Sequence, residues 1–226
     1  MKNVTSCFLM AVFLFACKST SYHYLTPTIN AAMYSRAGEG MGGIQFGSAG
    51  LAAKAGIALT NNINLNGWAS FFPESDNGYN SREFEFSLGF QTNPRSNKVT
   101  SFFIGVGNGD NEKDKIGLAG SYNRPFLQIQ HGAFDKSIFR SKAAWFDSYF
   151  GLRLNYLIYN GKLATADFDD ELVYYEPYFG AAIGGKNVRL EIVQGFSIKN
   201  SDWEKGVRVI PYWANIGLTV KFRKKH

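Results

Sequence analysis

Two cysteines, six prolines and three histidines in 226 residues leave little material for several kinds of chemistry. Two cysteines make neither a disulfide scaffold nor a four-ligand zinc site. Charge is scarce too, at 19% of residues against the roughly 25% usual in soluble domains. The apolar run from Cys7 to Phe15 is nine residues, well short of the roughly 20 that a membrane-spanning helix needs. A mean hydropathy of −0.18 also argues against a helical membrane protein. It is silent about a membrane barrel, whose alternating strands hide their lipid face from any average. What the chain has is apolar bulk: 45% hydrophobic, 16% aromatic and 24 glycines, which excludes a disordered chain. The net charge of +6 is scattered and partly gathered in a short basic tail, so nucleic acid is not implied as a partner.

Lys2 followed by the apolar run has the order of a secretory signal, a positive start and then a short hydrophobic stretch. The run ends Leu14-Phe15-Ala16-Cys17, which resembles the lipobox of bacterial lipoproteins, with Phe15 bulkier than the usual residue there. The resemblance implies cleavage before Cys17, removal of Cys7 with the signal, and a covalent lipid on Cys17, palmitate among its chains. Each buried CH₂ of such a lipid contributes about 0.8 kcal/mol, so several acyl chains hold a protein in a membrane. The resemblance also implies a bacterial cell envelope. The organisation expected is a signal over 1–16, a lipidated periplasmic tether over 17–39, a barrel over 40–222 and a basic periplasmic tail over 223–226.

From Gly40 onward hydrophobicity alternates with period two, and turn residues punctuate it. Ten strands are expected: Gly40–Ser48, Leu51–Leu59, Ile63–Phe72, Arg82–Gln91, Thr100–Asn108, Pro125–Phe134, Ser148–Tyr159, Tyr175–Gly184, Val188–Ile198 and Tyr212–Phe222. Most have the length of a tilted strand that crosses a bilayer. Phe84, Phe86, Leu88 and Phe90 oppose Glu83, Glu85, Ser87 and Gln91, and similar partitions recur, with Phe103 and Leu157 on the polar side. Alternation alone does not say which face is inside. Connections that are mostly short and long by turns match the periplasmic turns and outer loops of outer-membrane barrels, although Ala49-Gly50 and Asp135–Asp147 break the order. Aromatic residues at strand ends (Trp68, Phe71, Phe72, Tyr174, Tyr175, Tyr178, Tyr212, Trp213) fit interfacial girdles and equally a buried core. Gly217, Leu218, Val220 and Phe222 resemble the C-terminal β-signal read by the barrel insertion machinery, with the departure that Arg223-Lys224-Lys225-His226 follows. The fold class expected is therefore all-β: a single antiparallel transmembrane β-barrel of about ten strands, in the bacterial outer membrane, lipid-anchored, with both mature termini periplasmic.

On this face assignment the lumen receives Glu83, Glu85, Glu176 and Glu191 against Lys54, Arg153, Arg189 and Lys221. Balanced signs in a narrow barrel read as a neutralised network. A selective channel or proton path is the functional alternative. Catalytic arrangements are hard to place. The expected architecture resembles that of omptin-like proteases, which are also ten-stranded and place acidic pairs and an Asp-His pair at the outer rim, but Asp169-Asp170 has no histidine in an outer loop beside it. Lipid A acyl-modifying enzymes use a lipid-facing histidine near the outer leaflet, and His131 falls at the other end of its strand. Asp110, Glu112 and Asp114 resemble part of a calcium loop, yet Lys113 and Lys115 interrupt them and Ser121 stands where the closing acid belongs. No cofactor and no metal are expected. The reading is a non-enzymatic accessory or structural subunit of an outer-membrane assembly, secretion or uptake complex, with outer-membrane lipid and other outer-membrane proteins as partners. A small-solute channel or ligand-binding barrel and a soluble lipid-anchored β-sandwich are the alternatives.

Overall fold

In a strand, successive side chains point to opposite faces, so a period-two sequence commits one whole face to each environment. A computed structural model describes Tyr24, Ile29 and residues 32–48, 50–73, 79–92, 97–137, 144–164, 166–200 and 207–222. The signal over 1–16, Cys17 and the tail over 223–226 lie outside the described residues.

The fold is all-β. In chain order the strands are β1 (Gly40–Gly47), β2 (Gly50–Ala58), β3 (Ile63–Phe72), β4 (Tyr79–Thr92), β5 (Lys98–Lys113), β6 (Leu118–Ser137), β7 (Trp145–Leu163), β8 (Ala166–Gly184), β9 (Val188–Phe196), β10 (Ile198–Lys199) and β11 (Tyr212–Phe222). Each strand from β1 to β9 pairs antiparallel with its neighbour in sequence, β9 pairs with β11, and β11 pairs with β1, which closes the sheet. The result is a closed ten-stranded antiparallel barrel. The two-residue β10 resumes pairing with β8 after a break at Ser197. Closure leaves no unpaired edge along the wall. Among the described residues no helix is long and apolar enough to cross a membrane.

The barrel is inverted relative to a soluble one. On β4, Glu83 and Glu85 are each 2% exposed while Phe84 and Phe86 are 61% and 63% exposed. Ile44, Leu65, Ile104, Leu127, Phe150, Phe179, Leu190 and Leu218 share the outward face. Phe103 and Leu157 are buried in the lumen, on the polar face where the alternation puts them.

All ten expected strands are present, but those on one side of the barrel run further. β5 and β6 extend to a 3-10 turn at Asp114–Ile116, and β7 and β8 to a tight connection at Ala164. The outer loops expected over Gly109–Arg124 and Asn160–Tyr174 are therefore mostly paired hairpin, and Asp110 and Glu112 sit on β5 itself. The girdle assignment needs correction as well. Trp68, Tyr174, Tyr178 and Trp213 are buried and point inward, whereas Phe71 and Tyr175 face outward. Parity explains the split: Trp68 shares its face with Asn64 and Asn66, and Trp213 with Asn215.

Two local features shape the wall. Gly217 lies opposite Gln45 at the β1–β11 seam, and a Cβ there would meet the Ile44 carbonyl oxygen and come within 2.6 Å of the Gln45 Cγ. Only glycine lets the closing strands approach this closely. Between Ala133 and Lys136 the β6–β7 register shifts, and Asp135 takes φ 54°, in the left-handed region that aspartate tolerates better than most residues. The bulge turns the Asp135 carboxylate inward.

Several described residues ahead of β1 are inside the barrel. Ile29, Ala32, Met33 and Tyr34 are buried, and Tyr24 forms a parallel bridge to Val209. Residues 34–38 reach the end of the barrel that holds the β2–β3 turn, where β1 begins and β11 ends. Tyr24 lies at the other end, among Leu118, Tyr122 and Tyr159 of the long hairpins. An even strand count does put the start of β1 and the end of β11 together, but Tyr24, ahead of β1 in sequence, lies at the opposite end.

Candidate functional site

The lumen is the site that the sequence points to, and most of its ionised groups occur in three tiers. Nearest the short turns, Arg189 of β9 binds Asp147 of β7 and, at 2.5 Å, Asp135 at the bulge. Lys221 of β11 joins them, 2.9 Å from Asp147 and 3.5 Å from Asp135. The Asp135 N–H donates to the Asp147 carboxylate at 2.7 Å, so the bulge and the ion cluster hold each other.

The middle tier centres on Glu191. It pairs with Lys54 of β2 and accepts from Gln45 at 2.9 Å, Tyr149 at 2.6 Å and Thr219 at 2.7 Å. Four strands thus converge on one carboxylate, which bridges the seam from β2 through β1 and β11 to β9.

The third tier lies toward the long hairpins. Arg124 of β6 reaches Glu83 at 2.6 Å and Glu85 at 2.7 Å, and its other terminal nitrogen donates to Asn155 at 2.7 Å. Arg153 of β7 binds Glu85 at 2.8 Å and Gln128 at 2.7 Å, with its guanidinium 4.1 Å from the centre of the Phe126 ring. Asn155 passes the network on to Glu176 at 2.8 Å, and the Tyr122 hydroxyl donates to Glu83 at 2.8 Å. Buried charges are tolerated only when paired and hydrogen-bonded, and the ion pairs of the tiers meet that requirement, while Glu176 accepts from Asn155 on one oxygen and its Oε1 has no hydrogen-bond partner among the described residues.

All eight expected lumen residues (Lys54, Glu83, Glu85, Arg153, Glu176, Arg189, Glu191 and Lys221) are at least largely buried and belong to these tiers. Sequence reasoning missed Arg124, Asp135 and Asp147. Arg124 shares parity with Gln128 and Gln130, and Asp147 with Arg153 and Asn155, so carrying the alternation past the expected strand starts at Pro125 and Ser148 finds both. Asp135 reaches the lumen through a register shift that no alternation shows.

The N-terminal segment completes the filling. Gln130 donates to the Ala32 carbonyl at 3.1 Å, Gln91 to the Tyr34 carbonyl at 2.7 Å, and Tyr34 to Asn66 at 2.8 Å. A cavity of about 20 Å³ remains between Met33, Met41, Glu191 and Lys221, room for about one water. Outside the barrel, His131 has its Nδ1 2.9 Å from the Thr100 hydroxyl and its ring tilted against Phe150, near the short-turn end. Asp170 accepts from the Val207 N–H at 2.6 Å and so ties the β7–β8 hairpin to the segment before β11. Of the β-signal residues, Leu218 and Phe222 face outward and Gly217 lies at the seam.

An inverted, closed barrel with a paired polar lumen defines the class: a β-barrel built as membrane-spanning barrels are. No family model and no curated protein matches the chain. Among solved structures it is similar to LpxR from Salmonella typhimurium, at 11% identity and a TM-score of 0.35, over 80% of this chain and 99% of that one. The expectation that this chain has no enzymatic activity is withdrawn. Small, filled barrels do not as a class exclude catalysis.

Proposed function

We propose that the chain is an outer-membrane β-barrel that carries a lipid on Cys17 and works as a membrane-embedded subunit of a larger outer-membrane assembly, secretion or uptake complex. The inversion of polarity supports this most directly. In water, the outward ring of phenylalanine, leucine and isoleucine would be an apolar patch far above the few hundred Å² that soluble monomers expose. In hydrocarbon the same ring is the face that the bilayer requires. A soluble sandwich buries that face, so the inversion argues against it.

The filled lumen argues against a solute channel. Three ionic tiers and the chain's own N-terminal segment occupy the space a solute would use. What remains available to a partner is the outer wall and the two long hairpins. A closed barrel needs no lipid to stay in a membrane, so a lipid added to one supports a positioning role against other outer-membrane proteins. Gly217, Leu218, Val220 and Phe222 are the residues the insertion machinery would read during assembly. The test is purification from membranes in mild detergent. Co-purification of another outer-membrane protein at a fixed ratio is expected, and recovery of only the free monomer would contradict the subunit role.

A further inference from the structure

The described residues ahead of β1 define a direction through the barrel. At the long-hairpin end the Tyr24 N–H donates to the Arg208 carbonyl at 3.1 Å, and its own carbonyl accepts from Ile210 at 3.2 Å. Its ring stands edge-on to Tyr122 at 4.9 Å and lies within the cluster of Leu118, Tyr159 and Tyr174. Ile29 is fully buried in a cluster with Tyr149, Tyr178, Val193 and Trp213. Tyr34 is bound to Asn66 and Gln91, and the Ala37 N–H donates to Asn61 in the β2–β3 turn. Ten residue steps lead from Tyr24 to Tyr34, and an extended chain of that length spans roughly 33 Å, about one hydrocarbon thickness.

We propose that this segment is threaded through the lumen from the outer face, so that Cys17 and its lipid lie at the outer surface, opposite the C-terminus. The proposal rests on the outer-membrane reading above. Six residues lie between Cys17 and Tyr24, and the seven steps reach at most about 25 Å. A return to the periplasmic leaflet is longer than that, since the hydrocarbon alone is about 30 Å thick. It would also have to pass a lumen already occupied by the ionic tiers and by the segment itself. The hydrocarbon within reach is the outer leaflet. The barrel thereby carries its own lipoprotein N-terminus across the membrane, with the Tyr24–Val209 bridge holding the exit.

The experiment is thiol labelling of the full chain in intact bacterial cells with a membrane-impermeant maleimide. Ser19→Cys and Thr20→Cys report the N-terminal segment, Asp167→Cys the β7–β8 hairpin and Lys224→Cys the C-terminal tail. The parent chain, its Cys17 thiol blocked by lipid, sets the background. The expected result is labelling of Ser19→Cys or Thr20→Cys in intact cells to the level of Asp167→Cys, with Lys224→Cys labelled only after permeabilisation. If Asp167→Cys labels in intact cells while both N-terminal variants need permeabilisation, the threading is overturned. If Asp167→Cys itself needs permeabilisation, the outer-membrane orientation fails, and the proposal with it.

Discussion

Arg124 directs one guanidinium at Glu83, Glu85 and Asn155 with no exposed surface of its own. Removing one partner of a buried ion network leaves its counter-charges stranded, at a cost of about 3–5 kcal/mol. Arg124→Met is therefore expected to destabilise the barrel by about that amount in urea titrations of the protein in detergent micelles, while Lys162→Met on the exposed β7–β8 hairpin stays within about 0.5 kcal/mol of the parent. A negligible effect of Arg124→Met would mean that the third tier is not a paired network. The lumen was largely legible in the sequence at this scale, because a charge on the polar face of an alternating strand has one place to go. Arg124 was hidden by its neighbour. Pro125 removes a ladder hydrogen bond and so reads as a strand start, yet β6 runs through it, and the β6–β7 pairing skips from Asn123 to Phe126. Trp68 and Trp213 were ambiguous because an aromatic near a strand end suits a girdle or a lumen. Their parity with neighbouring asparagines carries the answer.

At the scale of elements, the β6–β7 bulge joins backbone geometry to charge. Asp135 at φ 54° supplies a carboxylate to Arg189 and Lys221. Asp135→Gly and Asp135→Ala lose that carboxylate equally, but alanine must also hold a left-handed conformation. Asp135→Ala should be less stable than Asp135→Gly by about 1 kcal/mol, the reverse of the usual order in a strand. Equal stabilities would show that the bulge relaxes once the ion pairs are gone. The bulge was not readable beforehand, because a register shift leaves composition and period unchanged. The N-terminal segment was opaque for a related reason: it carries no strand or helix period, and its contacts are set by a lumen that exists only once the barrel is closed. Deleting residues 18–34 removes Ile29, Met33 and Tyr34 from the barrel interior. In planar bilayers the parent is expected to insert without steady conductance and the deletion variant to conduct; identical silence of both would show that the ionic tiers alone seal the lumen.

For the molecule as a whole, the ten strands, their order and the polarity of each face follow from alternation, turn residues and strand length. Alternation did not say which face is inside. That emerges from closure, since ten strands make a lumen narrow enough for side chains from non-adjacent strands to pair. On the threading proposed above, closure also has an order, because a filled lumen cannot admit a lipid-bearing N-terminus afterwards. The segment must be in place before the β1–β11 seam forms. The central claim is the inverted barrel itself, with its apolar face in lipid. Spin labels placed singly at residues 83 to 88 of β4, in the barrel reconstituted into bilayers, test it most directly through their relaxation by oxygen, which partitions into lipid, and by a water-soluble nickel chelate. Strong oxygen relaxation at Phe84, Phe86 and Leu88, alternating with shielding from both agents at Glu83, Glu85 and Ser87, is the predicted result. Relaxation of Phe84, Phe86 and Leu88 by the nickel chelate instead would place that face in water and contradict the account.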